Sequence, residues 1–98
     1  MQNEKGVKIV ERFFEAIYDL KEKKVIRGKQ TFTRRYGINS RNFWLLEKDK
    51  SRDILQLAWI ATLVTDYGVS AEWILTGCGN MYTKEPEPAS RVNKKTEK

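Results

Sequence analysis

Between Val7 and about Lys24, Val10, Phe13, Phe14, Ile17 and Leu20 recur at three- and four-residue steps, with Glu11, Arg12, Glu15 and Lys21 between them. This spacing puts the apolar side chains on one stripe and predicts a first amphipathic helix. Gly28 interrupts the run and can cap a second, short helix in which Phe32 and Tyr36, four residues apart, share a face. Gly37 ends that helix, because glycine enters left-handed backbone without the clash of a Cβ and lets the chain turn sharply. Asn39 or Ser40 can then cap a third helix carrying Phe43, Trp44, Leu45 and Leu46, its side-chain oxygen accepting a backbone N–H that the first turn leaves unpaired.

The polar stretch Lys48 to Asp53 reads as a connection. Ser51 or Asp53 is expected to cap a fourth helix running to about Tyr67. Its apolar residues, Ile54, Leu55, Leu57, Ala58, Trp59, Ile60, Ala61, Leu63 and Val64, lie almost all round it, as in a helix central to a core or an interface. Gly68 closes it, Ser70 caps a last helix over Ala71 to Leu75, and Gly77, Gly79 and Asn80 form a turn before Met81 and Tyr82. No strand alternation is present. The expected class is therefore all-α, a compact bundle of about five helices in one domain, residues 1–83. Residues 84–98, with two prolines, mixed charge and no apolar period, are expected to form a flexible tail.

Composition narrows the chemistry. The 98 residues suit one small core, and the chain has a single cysteine, Cys78, and no histidine. An internal disulfide and a zinc framework are thereby excluded, and the commonest general base near neutral pH is missing. Paired carboxylates, metal spacings and a phosphate-cradling glycine loop are also missing, so neither an enzyme nor a cofactor or metal is expected. The chain has no apolar run of the roughly 18 to 20 residues that a membrane span needs, and Met1 to Lys8 lacks a signal-peptide stretch. A cytoplasmic protein away from membranes is the expectation, and a separate small-molecule sensor is not expected in a chain of this length.

The net charge of +6 matters less than its placement. Residues 21–52 hold eleven Lys or Arg against three acids, whereas residues 53–83 hold three acids and no base. A basic middle beside a mildly acidic half resembles a footprint for phosphates more than a uniformly solvated surface.

Two short helices joined by a glycine turn form the arrangement of a helix-turn-helix, roughly Lys29 to Lys48, whose second helix can enter a DNA major groove. Counted from Lys29, its packing positions fall on Phe32, Thr33, Tyr36, Gly37, Ile38, Phe43 and Leu46. All suit a packed pair of helices except Thr33, where the closest crossing favours a smaller residue. The stretch Tyr67 to Gly77, followed by Gly79, Asn80, Met81 and Tyr82, is more telling than the turn. On these two segments the chain, from about Val10 to Tyr82, resembles the phage-repressor-like (lambda-repressor-like) helix-turn-helix DNA-binding proteins, also called the xenobiotic-response-element family. It departs from them at Lys29, Thr33 and Asp49, where glutamine, alanine and glycine are frequent. The resemblance implies a five-helix bundle, a homodimer on a two-fold operator, and transcriptional regulation in a bacterium, phage or mobile element.

On that frame Arg41 is the first candidate for reading a base, since its forked guanidinium can donate two hydrogen bonds to guanine, and Asn42, able to pair with adenine, is the second. Ser40 can reach a base but suits a cap better. Lys29, Gln30, Arg34, Arg35, Asn39, Lys48, Lys50 and Arg52 are expected to flank the groove and meet phosphates. Arg34 or Arg35 can instead pair with Glu47 or Asp49. Trp44 and Leu45 cannot both be buried with Phe43 and Leu46: one reading sets the indole or Leu45 against a thymine methyl, a second packs Trp44 into the core, and a third gives this face to a protein. The acidic, apolar half around Trp59, Leu63, Trp73 and Ile74 is the expected dimer surface. The function expected from the sequence is double-stranded DNA binding by a dimeric regulator, most simply a repressor; the alternative is an antitoxin-like or accessory protein-interaction module that binds DNA weakly.

Overall fold

The first apolar stripe becomes α1, Glu4–Glu22, in the computed structural model, which describes residues 4–52 and 54–84. Val10, Phe13, Phe14, Ala16, Ile17 and Leu20 line its inner side and are almost wholly buried. The chain continues through α2 (Lys29–Arg35), α3 (Ser40–Lys48), α4 (Leu57–Tyr67) and α5 (Ala71–Thr76), an all-α arrangement.

Helix ends follow local chemistry. The Asn39 side chain accepts the Asn42 N–H at 3.0 Å to start α3, and the Ser70 hydroxyl accepts the Trp73 N–H at 3.1 Å to start α5. Gly37, one residue beyond the C-cap of α2, has φ 65°, and Gly68 and Gly77 end α4 and α5 in the same left-handed region. After α1, Lys24 also enters that region, with φ 63°. The next residues, Val25 and Ile26, fold beneath the junction, are buried, and donate their N–H groups to the Leu20 carbonyl. Neither belongs to a periodic run, and the sequence pattern assigned them no role.

Five aromatic rings tie four helices together. Phe13 lies 5.1 Å from Phe14 and 6.1 Å from each of Phe32, Phe43 and Trp59, ring centre to ring centre. Rings of this size bury about 150 to 250 Å² each, so this cluster is the main adhesive between α1, α2, α3 and α4. Leu46, Leu63, Val69 and Ile74 complete the core. Trp59, Leu63, Trp73 and Ile74, the expected dimer surface, are therefore core residues, each at most 9% exposed.

The fourth helix begins later than its composition suggested. Ser51 does not cap it: its N–H and hydroxyl both donate to the Asp49 carboxylate, at 3.1 and 2.7 Å, and hold a turn. Asp53, the other expected cap, lies outside the described residues. Ile54 and Leu55 instead pack on the core outside any helix, and Gln56 leads into Leu57 with extended backbone and no side-chain cap. Nor is the helix buried all round, since Leu57, Ala58 and Ala61 face outward.

The C-terminal side closes on α1. Arg12 donates to the carbonyls of Ile74 and Leu75 at 2.8 and 3.1 Å, satisfying groups that the end of α5 leaves open. Ser70 N–H donates to Met81 and Thr83 N–H to Gly68, both at 2.8 Å, around an antiparallel bridge between Val69 and Tyr82. The Tyr82 hydroxyl donates to Asp19 at 2.6 Å. Of the expected tail, Lys84 is the one described residue, and 85–98 lie outside.

Candidate functional site

The third helix owes its setting to two faces of unlike character. Phe43 and Leu46 point into the core, at 3% and 0% exposure. Arg41 and Lys48, seven residues apart, share the opposite side, and Trp44 and Leu45 flank that line. Trp44 is 51% exposed and Leu45 half-buried, so core packing of Trp44 does not occur. The Lys48 ammonium sits over the Trp44 ring, 5.5 Å from its centre.

Glu47, the one acid of α3, turns away from this side. Its carboxylate accepts from Lys29 Nζ at 2.9 and 3.0 Å and from the Tyr18 hydroxyl at 2.5 Å, joining α3 to α2 and α1. Lys50 Nζ donates to the Glu47 carbonyl at 2.9 Å and lies over the Phe14 ring. Partial burial raises the Glu47 pKa, but the hydrogen bonds from Tyr18 and Lys29 and the charges of Lys29 and Lys50 outweigh it, and the net shift is downward. Burial first, then the hydrogen bond to Glu47 and its charge, push the Tyr18 phenol up to about 12. Tyr18 has no place in the sequence reading of the site; the available signal was its position four residues after Phe14, at the margin of the α1 stripe. Lys29 rather than Arg34 or Arg35 is the partner of Glu47, and the Asp49 carboxylate is taken by Ser51.

No family model matches the chain, and neither the curated proteins nor the solved structures give a match.

The other expected site residues are spread over α2, α3 and the turn after it. Ser40 and Arg41 are exposed at the start of α3, and Gln30, Arg34 and Arg35 are exposed on α2, with Arg35 over the Tyr36 ring. Asn39 is exposed but committed to its cap. Asn42 is half-buried and lines a cleft of about 310 Å³ with Tyr36, Ile38, Asn39, Gln56 and Trp59, so it stands to one side of the Arg41–Lys48 line. Arg52 is exposed in the turn after α3, its N–H donating to the Asp49 carbonyl at 3.1 Å.

The turn that sets α3 against α2 is fixed at several points. Ile38 N–H donates to the Thr33 carbonyl at 2.8 Å. Thr33 fits at the crossing although it is larger than alanine: it is 5% exposed, and its hydroxyl donates to the Gln30 carbonyl at 3.2 Å. The Tyr36 hydroxyl donates to Asp66 at 2.8 Å, tying the end of α2 to α4. Burial and the hydrogen bonds with Tyr67 and Asp66 raise its pKa far above the usual phenol value. Among the described residues no group of His, Cys, Asp and Glu could hold a metal, and no helix is long and apolar enough to cross a membrane.

Proposed function

We propose that the protein binds double-stranded DNA sequence-specifically as a homodimer and regulates transcription, most simply as a repressor, with α3 as the helix that enters the major groove. The observation that carries this reading is the fate of the one acid on α3. Glu47 is folded back onto Tyr18 and Lys29, which leaves Arg41 and Lys48 on the outward side with no carboxylate from their own helix. Such a surface attracts phosphates, and Arg41 is long enough to pair with guanine O6 and N7. Arg34, Arg35 and Arg52 supply further exposed cations beside it. The setting is the cytoplasm of a bacterium, phage host or carrier of a mobile element.

A second copy is the partner that suits the other half of the molecule. Residues 54–83 contain no Lys or Arg and two acids, Asp66 and Glu72, and their exposed side chains include Leu57 and Leu75, 82% and 48% exposed. Two basic halves repel, whereas two nearly uncharged surfaces can meet in an isologous contact.

The test is selection of duplexes from a random pool, followed by affinity against salt. A recovered motif with a steep decline of affinity supports the reading, and a flat response rejects it. The exposed Trp44 favours one other reading, a protein-interaction module with weak DNA binding, which would show a salt-dependent decline without any recovered motif.

A further inference from the structure

We infer that Trp44 is a specificity residue that recognises a C5-methylated pyrimidine, thymine in ordinary DNA, by apolar contact in the major groove; this rests on the DNA-binding reading above. Half of the Trp44 surface is open to solvent although the core holds Phe43 and Leu46 from the same helix, so the indole is surplus to the packing of α3. Along the axis it lies between two cations, Arg41 three residues before and Lys48 four residues after. Those two reach base edges or phosphates on either side. The ring between them has one indole N–H and otherwise apolar surface, and it needs an apolar counterpart.

The major groove offers one projecting apolar group on its base edges, the thymine methyl, where cytosine has only a C5–H. Sugar carbons are apolar too, but contact with them would be indifferent to sequence. Lys48 contributes by holding its ammonium over the ring, which restrains the indole on the outward side of α3. Leu45, on the opposite flank, is half-buried and presents less apolar surface.

The experiment uses the full chain and the duplex recovered from the random pool. Each thymine of the motif is replaced in turn by uracil, which removes the methyl and leaves the hydrogen-bonding edges unchanged. At one thymine position of the half-site the parent should bind the uracil duplex about fourfold more weakly, the worth of one buried methyl-sized group. Trp44→Ala should bind the thymine duplex more weakly than the parent and lose the thymine-over-uracil preference, and Trp44→Phe should keep part of it. A parent indifferent to uracil at every position overturns the inference without needing any variant. Full preference retained by a folded Trp44→Ala also overturns it and passes the role to Leu45, while parental DNA affinity in Trp44→Ala gives the ring to a protein partner instead. Salt-dependent binding without methyl discrimination overturns this inference alone; absence of any motif together with a flat salt response overturns the DNA reading as well.

Discussion

The Lys29 ammonium lies 2.9 Å from the Glu47 carboxylate, and this contact, with the Tyr18 hydroxyl on the same carboxylate, joins the start of α2 to the end of α3 and both to α1. An exposed ion pair is worth about 0.2 to 1 kcal/mol. Glu47 is less exposed than that, at 17% for its side chain, and has a second donor, so its replacement should cost about 1 to 2 kcal/mol.

Stability should therefore depend on pH at both ends. The folded pKa of Glu47 lies below its ordinary 4.5, so its contribution is complete above 4.5 and is lost as pH falls through the lowered folded value. Tyr18 is shifted the other way: its contribution is complete below its ordinary 10 and is lost as pH rises toward about 12. Tyr36 acts on the alkaline side in the same direction. Urea unfolding of Glu47→Gln across pH should show a shallower decline at both extremes, and Tyr18→Phe a shallower decline at the alkaline end. Parental slopes at both ends in Glu47→Gln would refute the coupling.

Cations in the basic segment should differ in what they do for DNA. Lys29 is already neutralised by Glu47, whereas Lys48 and Arg34 are exposed. Replacing Lys48 or Arg34 by Gln should reduce the salt slope of binding by about one unit each. Lys29→Gln should lower the unfolding free energy and change the slope by less than half as much. Equal slopes for Lys29→Gln and Lys48→Gln would mean that the ion pair opens when DNA binds.

Two glycines of similar φ separate backbone strain from steric clash. At Gly37, φ 65°, an added Cβ would meet nothing within 4 Å, so Gly37→Ala should cost about 1 to 2 kcal/mol from the left-handed backbone alone. At Gly68, φ 75°, the Cβ would collide with the Lys84 carbonyl oxygen, and backbone must move. Gly68→Ala should therefore be the more destabilising in urea melts. Equal costs would show that the 81–84 segment moves aside freely.

Leu57 offers a direct test of the second copy. At 82% exposure its replacement by Glu removes no core contact, so the thermal unfolding of a monomer should be unaffected. In the proposed dimer the new charges meet across the contact, and sedimentation should shift from dimer toward monomer. A parental mass for Leu57→Glu would exclude Leu57 from the contact.

The helices and most of their ends were legible in the sequence because they depend on neighbours within about four residues. The stripe of α1, the Asn39 and Ser70 caps, and the left-handed glycines at 37, 68 and 77 are local features of this kind. The start of α4 was not legible, because the Asp49 carboxylate took Ser51 into a turn while Ile54 and Leu55 found the core outside a helix. The apolar character of Trp59, Leu63, Trp73 and Ile74 could be read, but not whether it met the core or a partner.

Sequence by itself thus determined the all-α class, the division of charge along the chain, and which residues could stand on the outer side of α3. The tertiary structure decided which charges remain there: it turned Glu47 toward Tyr18 and Lys29, residues 29 and 18 positions away, and left Trp44 outside. Periodicity reports which residues share a face, whereas the partner of a side chain depends on how separate helices pack, and that is set by the joint fit of Phe13, Phe32, Phe43 and Trp59.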